Sequence, residues 1–214
     1  MIRVYKHPDA PASLAKCVSW SGDDVLARLM ADQRGKCYLC ERILTTDFQV
    51  EHYKSRKHYA HLTFEWTNLL WSCSYCNGKK SSEYDDLLNP TADNVEELIR
   101  QKIDFPKAKV QFTTTGPATA STECTIRLLD KIFNGSKRIR TIREQRFYDY
   151  AVSKITSFQD MVIRWLNTGA EETERAIIEE LALTSEFLGF KYWIIRQNKR
   201  LADAFGGYIV WNRR

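Results

Sequence analysis

The chain has 214 residues, 43% of them hydrophobic and 12% aromatic, with a formal net charge of +5. That length is one or two domains and is enough to bury about 70% of the unfolded surface. No run of 18 apolar residues occurs, which excludes a helical membrane span. Met1–Lys6 lacks the apolar region of a secretory signal, so the expected location is cytoplasmic.

In chain order, Ser21-Gly-Asp-Asp24 resembles a capping box opening a helix, with Val25, Leu26, Leu29 and Met30 at helical spacing. Gly35 suits a helix stop. Phe48–His52 alternates apolar and polar and predicts a short strand; Asn68–Cys73 predicts a second, and Tyr75–Ser82 a short helix. Beyond Pro90, Asn94 caps a Glu-rich helical segment carrying Val95, Leu98 and Ile99, stopped by Phe105-Pro106. Lys109–Thr113 suggests a strand and Gly116-Pro117 a turn. From Ser121 to about Phe205 the pattern is helical, with breaks at Asn134-Gly135, Asn167–Gly169 and Thr184-Ser185. An apolar tail, Tyr208–Trp211, follows. The expected architecture is α+β: a small zinc-stapled ββα module over residues 1–90 and a mainly helical half over 91–214.

Two cysteine pairs, Cys37-x-x-Cys40 and Cys73-x-x-Cys76, bracket Glu51-His52, and Asn77 follows the second pair at once. Four thiolates at this spacing close a tetrahedral zinc site with no open position, so that metal is structural. Paired cysteines without a signal also indicate a reducing compartment, not a disulfide framework. Cys17 and Cys124 are left over and are expected to be buried apolar thiols. Spacing alone leaves a plain zinc ribbon, used for scaffolding or docking, as an open alternative.

The segment between the pairs adds an imidazole, a carboxylate and amides. His52 is the candidate general base, because neutral imidazole titrates near working pH. Glu51 and Asn77 offer hard oxygen donors that suit Mg²⁺ or Mn²⁺, although a strand would send Glu51 to the face opposite His52. Lys54, Lys79 and Lys80 are candidate phosphate contacts, which add affinity without sequence specificity. A second basic group, Lys137, Arg138, Arg140, Arg143 and Arg146, reads as a solvated helix face.

Val-Glu-His-Tyr-Lys at 50–54, the run Trp-Thr-Asn-Leu-Leu-Trp-Ser-Cys-x-x-Cys-Asn-x-Lys-Lys at 66–80 and Leu-Leu-Asn-Pro at 87–90 resemble the HNH, or ββα-metal, nucleases. Among these, the run is similar to the PtuB-type proteins of Septu antiphage systems, relatives of which accompany some retrons. The likeness is specific over about residues 36–90 and loose beyond. It implies that Glu51 and Asn77 ligate the catalytic ion and that Asn68, the middle residue of the signature, orients the histidine loop. Two departures stand out: Glu51 replaces the usual Asp, and Asn77 the usual third-position His. The resemblance further implies a DNA endonuclease acting in defence with an SMC/ABC-like ATPase of the PtuA type. A stand-alone restriction-type (McrA-like) nuclease and a non-catalytic zinc module that binds nucleic acid are the alternatives. Most apolar positions of the amphipathic stretches Arg175–Leu188 and Phe190–Phe205 (Ile177, Ile178, Leu181, Phe187, Leu188, Trp193, Ile194, Leu201 and Phe205) are expected to be intramolecular core; some of them, with Tyr208 and Trp211, are expected to form a patch through which the helical half docks such a partner.

Overall fold

The computed structural model describes residues 1–211; the last three positions of the expected helical half lie outside the described residues. Helix α1 (Asp23–Asp32) buries Val25 and Leu29 on one face. Its start differs from the expected capping box. Gly22 is the N-cap and no side chain caps the helix, because the Asp24 carboxylate accepts from the backbone and hydroxyl of Ser13. Its end is as expected: Gly35 takes φ 67° and its N–H reaches Met30 O at 2.8 Å.

A tight knuckle then carries the first cysteine pair. Cys37 N–H donates to Arg42 O and Glu41 N–H to Cys37 O. Strand β1 (Gln49–His52) pairs antiparallel with β2 (Leu69–Ser72), placing Glu51 opposite Leu70 and His52 opposite Leu69. All four residues of β2 are buried. The Gln33 side chain, just past α1, accepts from Trp71 N–H at 2.8 Å and donates to Trp71 O at 3.0 Å. Tyr38 N–H adds a further bond to Trp71 O. Helix, knuckle and strand are thereby tied by backbone bonds that a two-stranded sheet alone leaves unmade. Helix α2 (Ser74–Lys80) follows directly, which completes a ββα unit.

After Pro90 the structure departs from expectation. The helical segment after Asn94 is a single turn, α3 (Val95–Leu98), and strand β3 (Ile99–Asp104) begins at once. Ile99 and Gln101 are buried while Arg100 and Lys102 are exposed. That period of two suits a strand with one covered face, and β4 (Lys109–Thr114) pairs with it antiparallel.

Five α-helices follow among the described residues: α4 (Ala120–Asn134), α5 (Ile142–Thr168), α6 (Glu171–Glu180), α7 (Leu188–Arg196) and α8 (Lys199–Phe205). Three of their breaks fall at the expected turn residues; the fourth, at Gln197-Asn198, divides the expected Phe190–Phe205 stretch, because the Asn198 side chain caps α8 by accepting from Leu201 N–H. Both α4 and α5 open on complete capping boxes, Thr119 with Thr122 and Thr141 with Glu144. At Gly189, on α7, an added Cβ would stand 2.2 Å from the Gln101 side chain of β3. Glycine is needed there for the helix to reach the hairpin.

The principal core draws on both sides of position 90: Val25, Leu29 and Trp71 share it with Leu128, Phe133, Phe147 and Phe190. Tyr75 stacks on Phe147 with ring centroids 4.9 Å apart and donates to Ile132 O. A second cluster joins Phe158, Val162 and Trp165 of α5 to Ile177, Leu181, Leu201, Phe205 and Trp211. Ile177, Leu181, Phe187, Leu188, Leu201 and Phe205 are all buried, as expected of core positions. The expected docking patch is corrected at Trp211, which is turned inward with its indole N–H on Leu181 O, while Tyr208 stays exposed. Cys124 is buried as expected, but Cys17 is exposed. No helix among the described residues is long and apolar enough to cross a membrane.

Candidate functional site

The knuckle and the start of α2 bring Cys37, Cys40, Cys73 and Cys76 together, all buried, with ligand atoms within 4.8 Å of one another. Cys40 and Cys73 sulfurs are 4.0 Å apart, near the ~3.8 Å that four ~2.3 Å Zn–S bonds in a tetrahedron require. The cluster can therefore hold zinc. Cys73 also caps α2, accepting from Cys76 N–H at 3.4 Å. Asp47 holds the same end by accepting from Ser74 N–H and from Arg42 Nη2, each at 3.2 Å. The ββα unit is thus joined at both ends of its loop, where it has little core of its own.

A pocket of about 230 Å³ opens beside this unit, lined by Trp20, Glu51, His52, Arg56, Asn77 and Ser81 among others. Glu51 and His52 both border it, although they are successive residues of β1. His52 Nε2 donates to Thr63 O at 3.0 Å, and Nδ1 has no hydrogen bond from the described residues. The Trp20 ring meets the imidazole edge-on at 5.5 Å. Burial pushes His52 below its ordinary value, and the Arg56 and Lys80 charges push the same way. The ring is thereby kept neutral, the form in which Nδ1 accepts a proton.

Glu51 is 6% exposed. Burial drives its carboxyl up to about 7, against the opposing charge of Lys80. Lys80 Nζ stands 2.9 Å from Glu51 Oε1 and also donates to His52 O at 3.0 Å. Asn77 donates through Nδ2 to Gln49 Oε1 at 2.7 Å. Among the described residues no hydrogen bond reaches Glu51 Oε2 or Asn77 Oδ1, and both residues line the pocket, so they are the oxygen donors there that could hold a hard divalent cation.

Asn68 spans the loop between the strands. Its Oδ1 accepts from Lys54 N–H at 2.7 Å, and its Nδ2 donates to Lys54 O and Leu62 O at 3.0 and 3.1 Å. Because Thr63 follows Leu62, the amide fixes the stretch that carries the histidine's carbonyl partner.

The three lysines expected at phosphate separate. Lys80 has no exposed side-chain surface and is committed to Glu51 and His52, so it is corrected from a phosphate contact to a buried counter-charge. Lys79 is largely buried and pairs with Glu144 of α5. Lys54 stays partly exposed, 3.1 Å from Asp86.

Sequence reasoning passed over Asp85. This carboxylate accepts from Ser55 N–H at 2.6 Å and Ser55 Oγ at 2.8 Å, and it meets His58 Nδ1 at 2.7 Å. His58 is thereby tied to the loop through this carboxylate. The only signal was position: Asp85 immediately precedes the Asp-Leu-Leu-Asn-Pro run that follows the helix.

The chain is thus a mixed α and β protein with a four-cysteine cluster able to take zinc. No protein-family model matches it. Among curated proteins, Septu protein PtuB of Bacillus thuringiensis is similar, at 33% identity over 87 residues. The likeness covers 38% of this chain and 34% of that protein, so the chain spans about a third of its relative's length. It supports a relationship to the Septu protein over that stretch.

Proposed function

We propose that the chain is an HNH-type, divalent-metal-dependent endonuclease that hydrolyses DNA phosphodiester bonds. In this reading it is the nuclease effector of an antiphage system, acting with an SMC/ABC-like ATPase of the PtuA type. The observation that carries the chemistry is the arrangement of His52. Its Nε2–H is spent on Thr63 O, which leaves Nδ1 as the proton acceptor, in a pocket that Glu51 and Asn77 also line.

His52 Nδ1 takes a proton from water, whose oxygen attacks phosphorus while the 3′-oxygen departs. Glu51 and Asn77 would hold Mg²⁺ or Mn²⁺, which supplies charge stabilisation for the phosphate and the leaving oxygen. Asn68 orients the loop that holds the histidine. The PtuB likeness supports the defence setting and the ATPase partner. The buried apolar faces of α6 to α8 give no support to docking through those residues.

The Glu51–Lys80 pair favours a second reading, a non-catalytic zinc module that binds nucleic acid, because Lys80 already neutralises the proposed metal ligand. Plasmid nicking with Mg²⁺ or Mn²⁺ separates the two. His52→Ala should abolish nicking while the protein stays folded and keeps its zinc. Nicking retained by that variant sinks the catalytic assignment.

A further inference from the structure

We infer that the exposed face of α2 and the arginine-rich start of α5 form one track for the phosphate backbone of double-stranded DNA, leading into the pocket at His52. This rests on the proposed nuclease reading, and it assigns a ligand to residues that reading does not use.

The cations concerned are not matched by acidic groups, although the Arg143 guanidinium lies over the Tyr75 ring at 5.5 Å from its centroid. Arg143 and Arg146 lie exposed on the first two turns of α5, and no carboxylate oxygen lies within 4.0 Å of either among the described residues. Nearby Arg42 and Lys79 do have such partners. Lys137 and Arg138, just before α5, are equally exposed and unpaired. The helix end itself is not the attraction, because Thr141 and Glu144 already satisfy its first amides.

Continuity with the pocket comes through α2. Arg143 Nη2 donates to Ser74 Oγ at 2.8 Å. Ser74 and Asn77 are three residues apart on one helix face, about 4.5 Å along the axis. Asn77 and Ser81 line the His52 pocket together with Arg56 and Lys57, which also lack carboxylate partners.

Gly78 is an independent sign. Glycine weakens a helix interior, yet a Cβ added there meets nothing within 4 Å. Packing within the chain does not call for it, and the bare helix surface it leaves admits close approach of an outside backbone.

The measurement is binding of a short blunt duplex to full-length His52→Ala protein, by fluorescence anisotropy across a salt series. Adding Arg146→Ala, a residue with no bond inside the protein, should make the slope of log affinity against log salt shallower by about 0.9; adding Arg143→Ala as well should make it about 1.8. Gly78→Ala should weaken binding with an unchanged or higher melting temperature. An unchanged salt slope in the double arginine variant overturns the inference. So does a double variant that keeps its DNA affinity and loses co-purification with an ATPase, which would mark the ridge as a protein contact. If the wild type cuts DNA while the slope is unchanged, the nuclease reading survives and the track does not. If the wild type never cuts but the slope falls, the track stands on a DNA-binding protein.

Discussion

Replacing Asn68 tests how the candidate base is held. The side chain is 4% exposed and makes three bonds to the backbone of the loop that follows β1. Asn68→Ala strands one N–H and two carbonyls. At a net ~1 kcal/mol for each lost bond, the cost is about 3 kcal/mol. For a chain of this size that lowers the melting temperature by roughly 10 °C. Asn68→Asp is the sharper variant. It keeps the acceptor for Lys54 N–H but sets a carboxylate against Lys54 O and Leu62 O, so it should destabilise at least as much as alanine at pH 8. Urea unfolding measures the stability, and plasmid nicking at a temperature where both variants remain folded measures turnover. Under the proposed function, kcat should fall with little change in KM, since the amide acts through the carbonyl at Thr63 and touches no substrate. An Asn68→Asp protein as stable and as active as the wild type would refute both the amide's orientation and its positioning role.

Removing one zinc ligand in Cys73→Ser should expel the metal and unfold the ββα unit, because binding free energy is folding free energy there. Metal analysis beside circular dichroism checks this, and a folded, zinc-free variant of normal stability contradicts it. Burial raises the Glu144 carboxyl, but bonds from Lys79, Thr141 and Ser136 more than offset that and hold it at about 2, below its ordinary 4.5. A depressed carboxylate stabilises the fold above its unfolded value, so up to about 3 kcal/mol present at neutral pH should disappear between about pH 4.5 and 2. Glu144→Gln should remove that acid-dependent loss in pH-resolved unfolding; an unaltered acid transition argues against the pairing. Lys80→Met leaves Glu51 buried without its partner and should cost about 3 kcal/mol or more at pH 8, most of which Lys80→Met with Glu51→Gln should restore. Chemical denaturation of the single and double variants decides this, and additive losses would disprove the pair.

Local rules determined a good deal. Two Cys-x-x-Cys pairs brought four thiols into one cluster because the spacing places both sulfurs of each pair on one side of a tight turn. Alternation at 48–52, the strand-like run at 68–73 and the turn residues at 134–135, 167–169 and 184–185 marked elements that the chain adopts, since each depends on neighbours a few residues away. The same reasoning ran the helix after Asn94 too far, because the strand from Ile99 forms only where β4 and the body of the protein cover one of its faces. Trp211, taken for an exposed aromatic, is inside because Leu181, far off in sequence, offers it a carbonyl and a packing surface. Lys79 and Lys80 show the limit most plainly. They are identical neighbours on one short helix, and no sequence rule separates them. Successive side chains on a helix point about 100° apart, so one meets Glu144 across the boundary with α5 and the other enters the core to meet Glu51. Which lysine stays near solvent and which becomes a buried counter-charge is decided by the face on which α2 packs, and that is a property of the assembled fold.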